Sequence, residues 1–377
     1  MEHPLTLERE RGAHPVSCDQ LLNGGRDGRA PNGPSDGGVR PPHLGRMPAI
    51  TGCRGQPWRM MCAMSVMRET MSTQPEVLRR LLDDRRGLES AADRLAGRRV
   101  LLVGTGTSWH AANQGAWWLR MGGVDAWAVP AADAADSNPF SGDNDALLLL
   151  SHRGTKLFTS AVLERARAAG LPTVVISKRG NPDADLETVS EERSAAFTAS
   201  HLAALMRVAQ LADRLGASLG PLYEVPDAVA RELAQGPTGV KPPLRLLEFA
   251  GVGINAWTAA EGALKTRETA LVATEGLACE SILHGPAVAL GADDALVCLD
   301  SGTGSDRLKQ LADVARAQGT VVYEFARPEL GGALSVFPLT VVVQKIAAES
   351  AETLGTNPDS YGRDLPGRDA AWSAIKL

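Results

Sequence analysis

The feature that most constrains the fold is a pattern that the chain carries twice. VGTGTSWHAANQGA, from Val103, corresponds to AGVGINAWTAAEGA, from Ala250, at an offset of 147 residues. Further along, DALLLL at Asp145 corresponds to DALVCL at Asp294, at an offset of 149 residues. Similarity that stays collinear over such a distance predicts two copies of one structural unit.

Each copy alternates short apolar runs with helical segments. In the first copy a buried strand runs into a Gly-rich turn and a helix, and DALLLL then repeats the order of strand, loop and helix. This alternation predicts an α/β fold with a parallel sheet covered on both faces. In such a sheet, ligands bind beyond the carboxyl ends of the strands.

The pattern divides the chain into four parts. Residues 1–63 are rich in Gly, Pro, Arg, Ser and Asp, which predicts a disordered tail, and the methionines crowded from Met60 onwards raise the hypothesis of a misassigned translation start. Residues 64–96 repeat Leu and Val at helical spacing and predict an N-terminal helix or helix pair. The two α/β units are then expected at residues 97–237 and 243–377, the second with a C-terminal tail.

Composition excludes several classes of protein. The net charge is -5, 22% of the residues are charged, and no block of Lys and Arg suggests binding to nucleic acid or an anionic membrane. No run of 18 apolar residues and no signal-peptide pattern is found, so we expect a cytoplasmic protein with a small-molecule partner. The cysteines and histidines lack disulfide and metal-ligand spacing, and we expect neither a metal nor a cofactor.

Ionisable residues converge in the block from Glu261 to Pro286. Glu261, Lys265 and Glu268 fall at i, i+4 and i+7 of a predicted helix, so that two carboxylates flank one ammonium on one face. His284 closes the block in a His-Gly-Pro turn. Carboxylate, amine and imidazole suit sugar isomerisation, whereas the alternative is an exposed ion pair and an ordinary turn histidine.

A dinucleotide site is a second alternative. In the second copy Gly251, Gly253 and Ala256 satisfy the pattern G-x-G-x-x-A, and Glu275 follows at a distance suited to a ribose. A dinucleotide site does not account for Thr107 or for the ionisable block, so a phosphorylated sugar is the preferred ligand.

Four segments resemble a known family, the sugar isomerase (SIS) domain, and within it the isomerase half of glutamine:fructose-6-phosphate aminotransferase. The resemblance extends over about residues 67–377, and its segments are GTSWHAA at Gly106, SAAFTASHLAAL at Ser194, the block from EGALKTRE at Glu261 to HGP, and LGTNPD at Leu354. It implies two tandem SIS domains, each a flavodoxin-like three-layer αβα unit with a five-stranded parallel sheet. It also implies a homodimer whose active sites borrow a histidine across the interface.

The resemblance also implies roles for individual residues. Glu268 corresponds to the base that moves a proton between C1 and C2, and His284 to the group that opens the sugar ring, while Glu261 and Lys265 support them. The expected substrate- and phosphate-binding residues are Thr107, Ser108, Ser151, His152, Arg153, Gly154, Lys156 and Ser194.

Two departures from the family shape the expected function. No glutaminase domain precedes the isomerase half, and the family's C-terminal Schiff-base lysine is replaced by Arg363 and Arg368, with Lys376 too late in the chain. We therefore expect a phosphosugar enzyme that couples isomerisation to loss or gain of an amine without glutamine, as a glucosamine-6-phosphate deaminase or a fructosamine deglycase does. The alternative is a sugar-phosphate-binding regulatory protein without catalysis.

The loop SHRGTK, from Ser151 to Lys156, departs from the family pattern Ser-x-Ser-Gly-x-Thr. Arg153 and Lys156 stand where the family has hydroxyl side chains. Because a guanidinium can hold phosphate oxygens in bidentate fashion, we expect both cations to strengthen phosphate binding.

Overall fold

The computed structural model describes residues 64–375, which form part of one compact unit. The predicted N-terminal tail therefore lies outside the described residues. The described part begins with three short helices, of which the second and third cover the helix pair predicted between Pro75 and Leu95. These helices are α1 (Val66–Ser72), α2 (Gln74–Asp83) and α3 (Leu88–Leu95).

The first sheet has five parallel strands in the order β2-β1-β3-β4-β5. Every residue of DALLLL is buried, because helices cover both faces of the sheet. The strands are β1 (Arg99–Gly104), β2 (Ala126–Pro130), β3 (Asp145–Leu150), β4 (Thr173–Ser177) and β5 (Leu186–Glu187). The helices are α4 (Thr107–Met121), α5 (Ala131–Ser137), α6 (Leu157–Ala168), α7 (Ala199–Arg214) and α8 (Val225–Ala234).

The second sheet is parallel in the order β7-β6-β8-β9, which repeats the order of the first four strands of the first sheet. Its strands are β6 (Leu247–Gly251), β7 (Thr274–Ala278), β8 (Ala295–Asp300) and β9 (Val321–Ala326). The helices are α9 (Asn255–Ala270), α10 (Cys279–Leu283), α11 (Ser305–Ala317), α12 (Gly331–Leu334), α13 (Val336–Leu354) and α14 (Arg368–Ser373).

The expectation of five strands in each sheet is thus wrong for the second one. Among the described residues this sheet has four strands, because the chain turns at Pro328 after β9 and continues into the core helices α12 and α13. The strand order in both sheets is the flavodoxin-like order, and it confirms the predicted α/β class.

Two glycines that correspond in the sequence repeat allow helices to approach closely. A Cβ on Gly115 of α4 would lie 2.5 Å from Cγ1 of Val208 on α7. A Cβ on Gly262 of α9 would lie 2.9 Å from the side chain of Val343 on α13. Each of these helices is therefore held tightly against a buried neighbour, and its polar side chains have fixed positions.

Helices α4 and α9, which follow the first strand of each sheet, are in contact with each other. Trp109 of α4 packs edge to face against Trp257 of α9, with ring centroids 5.8 Å apart. The amino ends of these two helices follow the carboxyl ends of β1 and β6. The ligand-binding edges predicted for the two sheets therefore adjoin.

Helices α12 and α13 together span Gly331–Leu354, which is the one helical segment within residues 64–375 that is long and apolar enough to cross a membrane. Its mean hydropathy is 1.4, and 83% of its most apolar window is buried inside the protein. Phe337 stacks on Trp118 of α4, and Val343 contacts α9. These contacts are those of a core helix.

Asp359 joins three distant parts of the chain. Its carboxylate accepts hydrogen bonds from the backbone N–H groups of Val66 (2.9 Å) and Met67 (2.8 Å) at the start of α1. It also accepts one from the Ser194 hydroxyl (2.6 Å), in the segment ahead of α7. The C-terminal segment after α13 is therefore fixed to both the first helix and the first unit.

Candidate active site

Glu261, Lys265 and Glu268 lie on one face of α9, as their spacing predicts. The Lys265 ammonium is 3.6 Å from Oε1 of Glu261 and forms a direct ion pair with Glu268. Glu261 is 0% exposed and Lys265 is 1% exposed. The alternative of an exposed helix pair is therefore wrong, because this cluster is buried.

Burial and charge act in opposite directions on this cluster. Burial alone would raise the pKa of Glu261, but the charge of Lys265 and the histidines His201 and His110 hold that pKa below its ordinary value. Burial alone would lower the pKa of Lys265, but Glu268 and Glu261 hold it well above its ordinary value. The charged forms are therefore stabilised by each other.

Helix α4 supplies two further partners for Glu261. The Thr107 hydroxyl donates a hydrogen bond to Oε1 of Glu261 (3.1 Å), and Nδ1 of His110 is 2.7 Å from Oε2. Thr107 and His110 are three residues apart, and so they share one face of α4. Both oxygens of Glu261 thus have partners on the helix that follows β1.

The C-terminal segment supplies a partner for Glu268. The Tyr361 hydroxyl donates a hydrogen bond to Oε1 of Glu268 (2.8 Å), while Oε2 faces Lys265. Tyr361 has a φ of 60°, in the left-handed region that bulky residues seldom adopt. Such a conformation persists where the surrounding structure holds it, and the hydrogen bond to Glu268 helps to hold Tyr361.

A small cavity lies beyond the carboxyl ends of β3 and β4, next to the first turn of α4. Its free volume of about 20 Å³ has room for roughly one water molecule. The half-buried rings of His152 and Phe197, whose centroids are 4.9 Å apart, form part of its wall. The polar and aromatic lining residues are Thr107, Ser108, Ser151, His152, Ser177, Thr188, Phe197, Ser200 and His201.

The loop after β3 is held in shape by a hydrogen bond within it. The backbone N–H of Gly154 donates to the Ser151 hydroxyl (3.2 Å). Gly154 has a φ of 72°, and a Cβ there would lie 2.5 Å from Nδ2 of Asn181. Glycine is therefore required, and Ser151 is fixed in the lining of the cavity.

Arg153 and Lys156 are not among the residues that line this cavity, and their binding of phosphate stays a prediction. Nε of Arg153 donates to Glu191 (2.6 Å), and its guanidinium lies 5.3 Å from the centroid of the Phe197 ring. Glu191 also pairs with Lys178. The exposed carboxylate of Glu191 thus competes with a ligand for the guanidinium of Arg153.

The corresponding loop of the second unit contains its own carboxylate. Oδ1 of Asp300 accepts hydrogen bonds from the Gly302 N–H (2.7 Å) and the Ser305 hydroxyl (2.7 Å), after β8. At the corresponding position, directly after DALLLL, the first unit has the uncharged Ser151. An anion would be repelled at the second loop, so we expect only the first loop to bind phosphate.

Two expected site residues lie apart from their predicted partners. Ser194 is fully buried and donates to Asp359 rather than lining the cavity. The His284 side chain is 76% exposed, and its Nε2 is 3.0 Å from Oε1 of Glu280, which also pairs with Arg307. Within residues 64–375, no hydrogen bond or ion pair joins His284 to the cluster on α9.

The dinucleotide alternative does not fit the register of the second sheet. Glu275 is the second residue of β7 and pairs with Glu248 near the amino end of β6. A ribose bound at the Gly251 turn would lie at the opposite, carboxyl end of β6. Strand β7 begins at Thr274, three residues after Leu271 ends α9 in the left-handed conformation, and Glu275 therefore lies within the sheet.

Sequence reasoning missed His110, His201 and Tyr361. The position of His110 three residues after Thr107 was a usable signal, since it places both on one helix face. His201 stood inside a segment that was recognised, but its contact with the cavity depends on how α7 packs. Tyr361 reaches Glu268 across 93 residues, and no local pattern predicts that contact.

Comparison with known proteins agrees with the resemblance. Residues 96–214 match the SIS domain family, and this range contains the first sheet and the residues that line the cavity. The chain is also 28% identical over 300 residues to the glutamine–fructose-6-phosphate aminotransferase (isomerizing) of Pyrococcus horikoshii, over 69% of this chain and 50% of the relative. It is 24% identical over 286 residues to that of Chlorobaculum tepidum, over 66% of this chain and 47% of the relative. The chain thus spans about half the length of these curated relatives.

Solved structures share the fold. The C-terminal domain of glucosamine-fructose-6-phosphate aminotransferase from Francisella tularensis superposes with a TM-score of 0.65, at 18% identity, over 79% of this chain and 98% of that one. Glucosamine-6-phosphate deaminase from Thermotoga maritima superposes with a TM-score of 0.63, at 19% identity, over 78% and 97% of the two chains. At these identities the similarity establishes the fold.

Proposed function

From the match of residues 96–214 to the SIS domain family, we propose that this protein binds a phosphorylated sugar or amino sugar and moves a proton between its C1 and C2. One observation carries the proposal. Thr107 lines the cavity beside the phosphate loop and also donates a hydrogen bond to Glu261 of the buried cluster. A ligand anchored at the loop therefore lies next to the ionisable groups.

The phosphate group is assigned to the loop of the first unit. The hydroxyl groups of Thr107, Ser108 and Ser151 line the cavity there, and the amino end of α4, where the helix dipole favours an anion, adjoins it. Phosphate oxygens accept hydrogen bonds from hydroxyl groups and are attracted to the amino end of a helix. The sugar carbons then extend from the loop towards α9.

Proton transfer is assigned to Glu268. Its carboxylate takes the proton from one carbon of the open-chain sugar and returns it to the neighbouring carbon, which interconverts aldose and ketose. The Lys265 ammonium, held in its charged form by two carboxylates, stabilises negative charge that develops on the substrate oxygen. The Tyr361 hydroxyl orients Glu268.

Release of ammonia requires only one addition to this chemistry. When the substrate carries an amine on C2, moving the proton to C1 produces an imine at C2, and addition of water breaks the C–N bond to give a ketose and ammonia. These reaction steps need no imine with a lysine side chain. They therefore suit a chain that has Arg363 and Arg368, which cannot form such an imine, in its C-terminal segment. A deaminase also stands among the proteins that share the fold.

The proposal is tested with a panel of phosphorylated sugars. Wild-type protein is incubated with glucosamine 6-phosphate, fructose 6-phosphate and unphosphorylated glucosamine, and ammonia and sugar products are measured. We expect turnover of a phosphorylated substrate only. Ser151→Ala should weaken its binding roughly tenfold, because a hydrogen bond to a charged group is lost.

Ser301→Ala, in the loop where Asp300 stands, is the matched control and should bind as the wild type does. Equal effects of the two substitutions, or binding of glucosamine irrespective of the phosphate, would contradict the assignment of the loop.

We further propose that His284 acts in the active site of a partner subunit. The His284 side chain is exposed and contacts Glu280 rather than Glu268, whereas the resemblance assigns it to ring opening. If the site is shared, Glu268→Gln and His284→Ala should each be nearly inactive alone. Co-expressed heterodimers should recover activity, because one of their two sites contains both wild-type residues.

The measurement is turnover of the cyclic substrate by heterodimers isolated through two different tags. If His284 acts within its own chain, each site of the heterodimer carries one damaged residue and no recovery occurs. Monomeric protein in solution with full activity would also contradict a shared site.

Binding without turnover is the second candidate function. Both oxygens of Glu268 are already bonded, to Lys265 and Tyr361, as expected of a carboxylate with a structural role. Tight binding of a phosphorylated sugar without proton exchange at C1 or C2 would favour this alternative.

A further inference from the structure

His201 is a buried polar side chain without a hydrogen-bond partner in the part of the chain that the structure describes. It lies in the first turn of α7, is 2% exposed, and lines the cavity. Neither Nδ1 nor Nε2 has a hydrogen-bond partner among residues 64–375. Leaving a buried polar group unsatisfied destabilises the folded state.

Several other polar groups of the cavity have partners, although Nδ1 of His152 is also buried without one among residues 64–375. The Ser177 hydroxyl donates to the carbonyl of Ser151 (2.7 Å), the Thr188 hydroxyl donates to the carbonyl of Ser177 (2.9 Å), and the Ser151 hydroxyl accepts from Gly154. Buried polar groups in native proteins are nearly always satisfied, so the His201 ring, with both nitrogens unsatisfied, calls for a partner from outside the described residues.

The protonation state of His201 indicates the kind of partner. Burial lowers its pKa to about 4, although the charge of Glu261 acts in the opposite direction. The ring is therefore neutral at pH 7 and offers one donor and one acceptor. A hydroxyl group also offers a donor and an acceptor, whereas phosphate would favour a protonated ring.

We propose that His201 binds a hydroxyl group of the sugar, between the phosphate loop and the cluster on α9, and so helps to select the sugar that is bound. This inference rests on the proposed function and names a determinant of specificity within the same site. Two observations place it there. His201 shares the cavity with Thr107 and Ser151, and its ring is close enough to Glu261 for each to influence the other's charge.

The test is His201→Leu, which replaces the ring by an apolar side chain of similar size. Without ligand, the variant should be at least as resistant to thermal unfolding as the wild type, because an unsatisfied group has been removed. Its affinity for the phosphorylated sugar, measured by calorimetry, should fall roughly tenfold to a hundredfold. Its affinity for inorganic phosphate should not change.

His201→Gln keeps a donor and an acceptor and should retain most of the affinity. Deoxy analogues of the sugar phosphate identify the hydroxyl, since the analogue that lacks it should bind wild type and His201→Leu equally well. Gln210→Leu is the matched control on the same helix. Gln210 is buried but satisfied, through Leu81 and Arg207, so its loss should lower thermal stability and leave affinity unchanged.

Equal affinity of wild type and His201→Leu for the sugar phosphate would overturn the inference and leave the proposed function intact. Lower stability of unliganded His201→Leu, with His201→Gln no better, would show that the ring has a structural partner and would also overturn it. If the wild type binds no phosphorylated sugar, the proposed function fails, and the inference fails with it.

Discussion

Glu268→Gln should lower turnover of the phosphorylated sugar about 10²- to 10⁴-fold while its affinity changes little. The amide keeps the shape of the side chain and can still accept from Tyr361, but it cannot take a proton from carbon, and general base catalysis contributes about that factor. The measurement is exchange of the C1 and C2 hydrogens with deuterium from solvent, followed by NMR, together with calorimetry of binding.

Glu224→Gln is the control for this change, since Glu224 is exposed and lies outside the site. Unchanged exchange in Glu268→Gln would reject Glu268 as the base that shuttles the proton. A parallel loss of affinity and turnover would instead assign Glu268 a role in holding the site together, through Lys265 and Tyr361.

Lys265→Met should destabilise the protein at pH 7 by about 3–5 kcal/mol, because it leaves buried carboxylates without their cation. Glu261 is 0% exposed, and the Lys265 ammonium is the charge that acts most strongly to hold its pKa low. The measurement is the free energy of unfolding in urea. Lys309→Met is the matched control, since the Lys309 side chain is 69% exposed, lies 4.0 Å from Asp306, and should contribute little.

The effect of Lys265→Met should depend on pH in a defined direction. In the wild type the lowered pKa of Glu261 contributes stability above its unfolded value, and that contribution is lost as the pH falls through the folded value. In the variant burial raises that pKa instead, and protonation relieves the buried charge. The destabilisation should therefore be smaller at pH 5 than at pH 7, and an equal or larger one at pH 5 would contradict the ion-pair account.

The sequence predicted those parts of the site that depend on local geometry. Helical spacing was enough to place Glu261, Lys265 and Glu268 on one face, and the position of a loop after a strand was enough to bring Ser151 to the ligand-binding edge. The number of strands in the second sheet was missed, because the path of the chain after β9 is decided by packing of the apolar helix α13.

Other contacts depend on residues that are distant in sequence. Binding of phosphate by Arg153 stays a prediction, and in this structure its guanidinium donates a hydrogen bond to Glu191, 38 residues later. The sequence also could not predict that the α9 cluster is buried, because the spacing of Glu261 and Lys265 is the same in an exposed helix and in a buried one. The residues that cover it come from α4 and from the C-terminal segment.

The junction at Asp359 has a consequence for how the two ends of the folded chain act on catalysis. Asp359 holds the first turn of α1, and two residues later Tyr361 reaches the proposed base Glu268. Val66 and Met67 are therefore linked to the Glu268 carboxylate through the short segment from Asp359 to Tyr361, although more than 200 residues separate them in sequence. Trimming or modifying the chain near residue 66 should disturb the residue that orients the proposed base, and α1 should be treated as a remote support of the candidate site.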